Sequence, residues 1–335
     1  MSLVKANTPK SFLKPMTVVN KMCSEEVKIE RSGTIAIIGP ANAGKSTLLN
    51  RIVGEKVSIV SAKANTTRNR ILAIKNLDKA QLIFIDSPGF VGNKKKSALG
   101  GMLERTHQDV ASGTDLVLWV VDSAELINRK CTLDQTLAEF SKRGVPSPDV
   151  VALNKTDLFP PEKILPIISE LDQKLSSKQT QIVPVSALTG ESVENLLSLL
   201  DEKLPEGPAL FPLDTVTDQT ESSRATELIR EQLFRQLRQE IPYGTAVLLE
   251  KWDEDDEAIR IHAKILVEQE SHKGMVIGKA GSRLASIGKA SRTQLSRVFG
   301  VPVHLKLFVG VEKNWSQTEK GLEKLRVAGG LGDGC

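Results

Sequence analysis

Gly39-Pro40-Ala41-Asn42-Ala43-Gly44-Lys45-Ser46 has the spacing G-x-x-x-x-G-K-S. The apolar residues 34–38 before it read as a buried strand, and Ser46-Thr47-Leu48-Leu49-Asn50-Arg51-Ile52 after it opens a helix. A strand, a Gly-rich turn and a helix in that order make a phosphate-binding loop. Successive backbone N–H groups of such a loop surround an anion, and the helix N-terminus adds partial positive charge. Gly39 and Gly44 let the backbone approach the phosphates with no Cβ in the way. Lys45 is placed to reach the β- and γ-phosphates, and the Ser46 hydroxyl to bind Mg²⁺. Gly39, Asn42, Ala43, Gly44, Lys45, Ser46 and Thr47 are the expected contacts at this end of the ligand.

Three more segments extend the site. Asp86-Ser87-Pro88-Gly89 ends a second apolar run, Leu82-Ile83-Phe84-Ile85. A carboxylate there, beside the first strand, is the expected second-sphere Mg²⁺ ligand, and the Gly89 N–H is placed to sense a γ-phosphate. Asn154-Lys155-Thr156-Asp157 follows a third run, residues 150–153. A carboxylate at Asp157 accepts from N1–H and the 2-amino group of guanine, and adenine offers neither donor. An unpaired buried carboxylate is costly, so the site rejects adenine. Asn154 and the Lys155 stem frame the ring, and Ser186-Ala187-Leu188 after residues 182–185 supplies a backbone N–H for guanine O6. GTP and GDP are therefore the expected ligands. Between the first two motifs, Thr67, with Thr66 beside it, is read as a hydroxyl that closes over Mg²⁺ and the γ-phosphate and lets go after hydrolysis. Lys45, Ser46, Thr67, Asp86 and Gly89 form the expected catalytic set.

The 335 residues, 40% of them hydrophobic, suggest about two domains. No stretch approaches the roughly 18 consecutive apolar residues of a membrane-spanning helix, and the first thirty residues lack the apolar core of a signal peptide. Cys23, Cys131 and Cys335 are odd in number and share no metal-like spacing, which fits a reducing cytosol. The net charge of +4 says less than its distribution: residues 271–310 contain no Asp or Glu but hold Lys273, Lys279, Arg283, Lys289, Arg292, Arg297 and Lys306. That local field suits a phosphodiester backbone. The acidic run Asp253-Glu254-Asp255-Asp256-Glu257 reads as a solvated hairpin turn.

Apolar strands near 34–38, 82–86, 116–121, 149–153 and 181–185 alternate with helical stretches, and residues 71–77 read as one antiparallel edge strand. This is the pattern of an α/β domain with a mostly parallel sheet covered by helices on both faces and nucleotide loops at the strand ends. Val193, Leu196, Leu197 and Leu200 recur at helical spacing in its last helix. The expected division is an N-terminal extension at 1–32, this domain at 33–203, an extended Pro-containing linker at 204–221, a second domain at 222–326 and a tail at 327–335. The second domain reads α-β-β-α-α-β. Ile259, Ile261, Ala263, Ile265 and Val267 alternate with polar residues as a half-buried strand, and Gly278-Lys279-Ala280-Gly281 lies between two helices. That order is the α+β, type II KH arrangement, whose GXXG loop brings backbone N–H groups and Lys279 against about four nucleotides. Lys273, Ile277, Gly278, Lys279, Ala280, Gly281 and Arg283 are the expected RNA contacts. His262 reads as a solvent-facing strand residue.

Together these motifs, with Glu240-Ile241-Pro242-Tyr243, residues 273–281, Leu307-Phe308-Val309 and Asn314-Trp315, resemble the Era GTPases over residues 33–326. Local departures are Ala280, where that family usually has Gly, and Gly310, where a Lys is common. Like that family, the chain carries an apolar residue, Phe90, where other GTPases hold a water-orienting Gln, which implies slow intrinsic turnover. In the wider group an Asn at the position of Asn42 binds K⁺, which implies K⁺ as a charge stabiliser here. The resemblance implies a cytoplasmic, monomeric GTPase with peripheral contact with the inner membrane. Its implied partners are the 3′ end of small-subunit (16S) rRNA and the immature 30S subunit. Two alternatives stay open: an RNA-binding KH module with a slow GTP-sensing domain, and a GTPase acting on tRNA or the large subunit.

Overall fold

The computed structural model describes residues 28–60, 70–86, 113–175, 179–238 and 241–327. The expected contacts Thr67 and Gly89, together with Thr66 and Phe90, lie outside the described residues.

The first unit is built on β1 (Arg31–Ile38), β2 (Ile71–Asn76), β3 (Ala80–Asp86), β4 (Leu116–Asp122), β5 (Val150–Asn154) and β6 (Gln181–Pro184). Their order in the sheet is β2-β3-β1-β4-β5-β6. β2 pairs antiparallel with β3 and every other neighbouring pair is parallel. The edge strand expected at 71–77 is β2, and the Leu77 N–H donates to the Ala80 carbonyl at its turn. Both faces of the sheet are buried. Ile35 and Ile37 pack with Leu48 and Leu49 of α1 (Lys45–Val53) and with Leu196 and Leu200 of α5 (Val193–Lys203). Ala36 and Ile38 face the other way, toward Phe140 of α3 (Leu133–Lys142) and Leu171 of α4 (Pro161–Leu175). A strand covered on both sides needs an unbroken apolar run, which is why these strands stand out in the sequence. A short helix, α2 (Ser123–Ile127), follows β4 and is capped by the Asp122 carboxylate.

Residues 204–221 are extended, but they are fastened to the sheet rather than free. The buried Gln81 holds them: its Oε1 accepts from the N–H groups of Leu210 and Phe211, and its Nε2 donates to the Phe211 carbonyl. Further along, Ala73 and Thr217 form a bridge, and the Thr217 hydroxyl donates to the Leu72 carbonyl at 2.7 Å.

The second unit follows the expected α-β-β-α-α-β order, with α6 (Glu221–Gln236), β7 (Thr245–Glu254), β8 (Ile259–Val267), α7 (Glu270–Ile277), α8 (Ser282–Phe299) and β9 (Val303–Val311). The acidic run is the turn between β7 and β8. β7 pairs antiparallel and β9 parallel with β8, which lies between them. Ile261, Ala263 and Ile265 point inward against Leu228, Ile229 and Leu233 of α6 and Ile287 and Leu295 of α8. A further helix, α9 (Glu319–Val327), does not stand out in the periodicity of the sequence. With Trp315 it covers Ala246 and Leu266 on the opposite face of this sheet.

Candidate nucleotide site and nucleic-acid interface

The 39–46 segment joins β1 to α1 at the C-terminal edge of the parallel sheet, where successive loops converge. Two glycines have no substitute there. A Cβ on Gly39 would lie 2.3 Å from the Val120 carbonyl oxygen, and one on Gly44 2.2 Å from Asn154 Nδ2, at a φ of 98°. Lys45 is buried, and its ammonium donates to the carbonyls of Gly39 (2.8 Å) and Pro40 (3.0 Å). Burial lowers its pKa to about 8, against the opposing pull of the Asp86 charge. Asp86 is buried too. Burial pushes its carboxyl up, while Lys45 and hydrogen bonds from Ser46 and Ser58 hold it down. Oδ2 of Asp86 accepts from the Ser46 hydroxyl at 3.0 Å and the Ser58 hydroxyl at 3.1 Å. Asn42 is exposed on the loop, at a φ of 65°. Thr47 is half-buried in the first turn of α1.

The residues read as base contacts also converge. Asn154 bridges two loops: its Nδ2 donates to the Ala43 carbonyl at 2.8 Å, and its Oδ1 accepts from the Ala187 N–H at 3.0 Å. Of the 186–188 backbone N–H groups expected to supply guanine O6, that of Ala187 is thus engaged by Asn154. Ser186 donates its hydroxyl to Asp157 Oδ1 at 2.6 Å, leaving the second carboxylate oxygen for another donor. Lys155, at a φ of 67°, is held by an ion pair with Asp122 at 2.5 Å.

Three contributors escape a reading of the sequence. Asp122 looks there like no more than a strand end. Asn50 accepts through Oδ1 from the N–H groups of Val57 (3.0 Å) and Ser58 (2.8 Å), and its Nδ2 donates to the Ser58 carbonyl. That clamp aims the buried Ser58 hydroxyl at Asp86. A lone serine in a polar loop carries no spacing signal.

The same loop reaches the second unit. Lys56 pairs at 2.5 Å with Glu231 of α6, whose side chain is fully buried. Gln294 of α8 donates to the same oxygen of Glu231 at 2.6 Å. Arg224 of α6 lies 3.6 Å from Glu55. A buried carboxylate needs its partners, so this contact favours one arrangement of the two units.

The 278–281 loop lies at the junction of α7 and α8. Gly278 has φ 75° and ψ 175°, and a Cβ there would lie 2.7 Å from the Arg283 Cβ. Gly281 is left-handed at φ 78°, and Ala280 between them is also left-handed at φ 47°. Lys279 and Ala280 are exposed, and Ile277 and Lys273 are half-buried beside them. Lys273 lies 3.8 Å from Glu270. Arg283 donates to the Met275 carbonyl at 2.6 Å, so it braces the loop as well as facing solvent.

Comparisons with known proteins agree with both halves. Residues 34–155 match the family model described as 50S ribosome-binding GTPase, and residues 240–316 match the KH domain model. GTPase Era of Syntrophus aciditrophicus (strain SB) is 40% identical over 88% of this chain and 94% of its own length. GTPase Era of Geobacter metallireducens is 39% identical over 88% of this chain and 97% of its own. The chain belongs to the Era GTPase family. Two solved Era structures superpose with a TM-score of 0.81 at 35% identity, covering 90% of this chain and 99% of theirs. One is a point variant of Aquifex aeolicus Era bound to GDP·AlF4⁻. The other is Era in complex with MgGDPNP and nucleotides 1506–1542 of 16S ribosomal RNA. As a member of the Era family the chain is a GTPase, with a P-loop domain followed by a KH domain. Among the described residues no helix is long and apolar enough to cross a membrane.

Proposed function

We propose that this GTPase is a switch whose KH domain binds the 3′ end of small-subunit rRNA and assists assembly of the 30S subunit. The observation that carries the reading is the single chain of contacts from Asp86 through Ser58 and Lys56 to Glu231 and Gln294. It joins the γ-phosphate end of the nucleotide site to α8, the helix that starts at the RNA-facing loop. An Era relative solved with MgGDPNP and a 16S rRNA segment supports the choice of partner.

In this reading Lys45 exchanges its two loop carbonyls for phosphate oxygens, and Asp157 accepts the guanine N–H groups. Oδ1 of Asp86 is buried with no hydrogen-bond partner among the described residues, next to two hydroxyls. That oxygen-rich set suits Mg²⁺, held through Ser46 and Asp86. Bound there, Mg²⁺ neutralises charge on the phosphates. Thr67 and Gly89 belong to the segments that directly follow the Ser58 loop and Asp86, so rearranging them on hydrolysis acts on the same contacts. Asn42, exposed on the loop, is the proposed K⁺ ligand; turnover in K⁺ above that in Na⁺ tests it. The chain is proposed to act as a monomer in the cytoplasm, with peripheral contact with the inner membrane.

Cross-linking to total RNA, followed by sequencing of the partner, tests the function. Contacts at the small-subunit 3′ end are expected, and contacts confined to tRNA or large-subunit RNA overturn the reading.

A further inference from the structure

We propose that Arg51 is a positioning residue for guanine recognition, turning the backbone N–H of Leu188 toward O6 of the base. The proposal rests on the reading of Asp157 as the acceptor for the guanine N–H groups.

Residues 186–188 offer three backbone N–H groups, and two of them are engaged. That of Ser186 donates to the Glu191 carbonyl at 3.1 Å, and that of Ala187 to Asn154 Oδ1 at 3.0 Å. Asn154 is fixed in turn, because its Nδ2 donates to the Ala43 carbonyl at 2.8 Å. Among the described residues the Leu188 N–H has no partner. The next N–H, of Thr189, donates to Ser186 Oγ at 3.1 Å. Leu188 is therefore the donor this loop has left for a base.

Arg51 sets where that donor points. From α1 its Nε donates to the Ala187 carbonyl at 3.3 Å, and its Nη2 donates to the Leu188 carbonyl. Its stem passes over Gly190, where a Cβ would lie 3.6 Å from Arg51 Cδ. In a planar trans peptide the N–H points opposite to the carbonyl that precedes it. With both carbonyls turned to one guanidinium, the N–H groups of Leu188 and Thr189 face the other side. That of Thr189 meets Ser186 Oγ there, which itself sits 2.6 Å from Asp157 Oδ1. The Leu188 N–H thus opens on the side of the Asp157 carboxylate. O6 of guanine neighbours N1, so a base with N1–H on Asp157 brings O6 to this donor. Packing does not fix the peptide, since the Leu188 side chain is 68% exposed. Among the described residues no carboxylate pairs with Arg51, and its planar fork can span two adjacent carbonyls. The same helix begins with Lys45 and Ser46, so one rigid element sets both the phosphate end and the base end of the site.

The test measures, on the full chain, the affinities of GDP, inosine diphosphate and 6-thioguanosine diphosphate. The first two carry O6. The third keeps N1–H and the 2-amino group but offers sulfur, a weak acceptor, at position 6. Arg51 is exposed, so Arg51→Met leaves the buried face of α1 intact. That variant should bind GDP and inosine diphosphate each about fivefold more weakly, and the thio nucleotide less than about twofold more weakly. Arg51→Lys still donates to a carbonyl and should fall between wild type and Arg51→Met on GDP. Unchanged GDP affinity in Arg51→Met overturns the proposal. So does an equal loss on all three nucleotides, which would make Arg51 a general support of the loop, and so does an equal loss in Arg51→Lys and Arg51→Met. Wild-type protein that binds the thio nucleotide as tightly as GDP overturns it at the O6 contact. Wild-type protein that binds inosine diphosphate as tightly as GDP sinks the Asp157 reading instead, whichever way the Arg51 comparison falls.

Discussion

Asp157 is the residue on which base choice turns. Its partner Ser186 takes one oxygen and leaves the other for the base. Replacing Asp157 with Asn puts a donor where an acceptor is needed. GTP affinity should fall by about one to two orders of magnitude, and xanthosine triphosphate, with a 2-oxo group, should bind better than GTP. Competition binding with the two nucleotides checks this. Lys45 gives a pH signature. Its pKa is about 8 in the fold against 10.5 unfolded, so the unfolded chain holds more protons between those values. Lys45 therefore destabilises the empty protein below pH 8 and does so less as pH rises toward 10.5. Relative to Lys45→Met, the nucleotide-free wild type should gain stability across that window, read from thermal unfolding at several pH values. Ala280 is a non-glycine residue held left-handed. Ala280→Gly should relieve that strain and stabilise the KH domain by about 1 kcal/mol. An unchanged melting temperature would count against it.

Strands and helices of both domains are legible because their burial is periodic. β8 alternates, with one face in the core, while β1 and β3 are apolar for most of their length because both faces are covered. Gly39, Gly44, Gly278 and Gly281 are legible because fixed spacing reflects backbone geometry. What stays hidden is held by single polar side chains. Residues 204–221 read as a tether because prolines and weak periodicity mark loops. Gln81 nevertheless ties that segment to the sheet through three hydrogen bonds, one glutamine in an apolar strand. Gln81→Ala should cost about 1–3 kcal/mol and speed hydrogen exchange at Leu210 and Phe211. Protection unchanged at those amides would show that the fastening lies elsewhere. Ser58 and Asn50 are equally silent, since their effect depends on a loop bending back onto α1.

The two domains communicate, in the proposed function, through a lysine on one and a buried carboxylate on the other. Lys56→Met leaves every nucleotide contact in place but removes the partner that Glu231 finds on the other domain, while Arg235 and Gln294 still hold that carboxylate from within the KH domain. RNA affinity in the wild type should differ between GDP and a GTP analogue, and in Lys56→Met that difference should shrink several-fold, as read by calorimetry. By linkage, RNA should then also lose its effect on nucleotide affinity. If Lys56→Met keeps the full difference, the coupling runs by another route. The fastened connection sets how far such motion can go. Its last bridge to the sheet is at Thr217, and α6 begins at Glu221, so no more than about 14 Å of chain lies between anchor and helix. The KH domain can swivel on this leash but cannot drift off. Return to the docked pose is therefore intramolecular, at a high effective concentration, and a single ion pair such as that of Lys56 with Glu231 is enough to decide between poses.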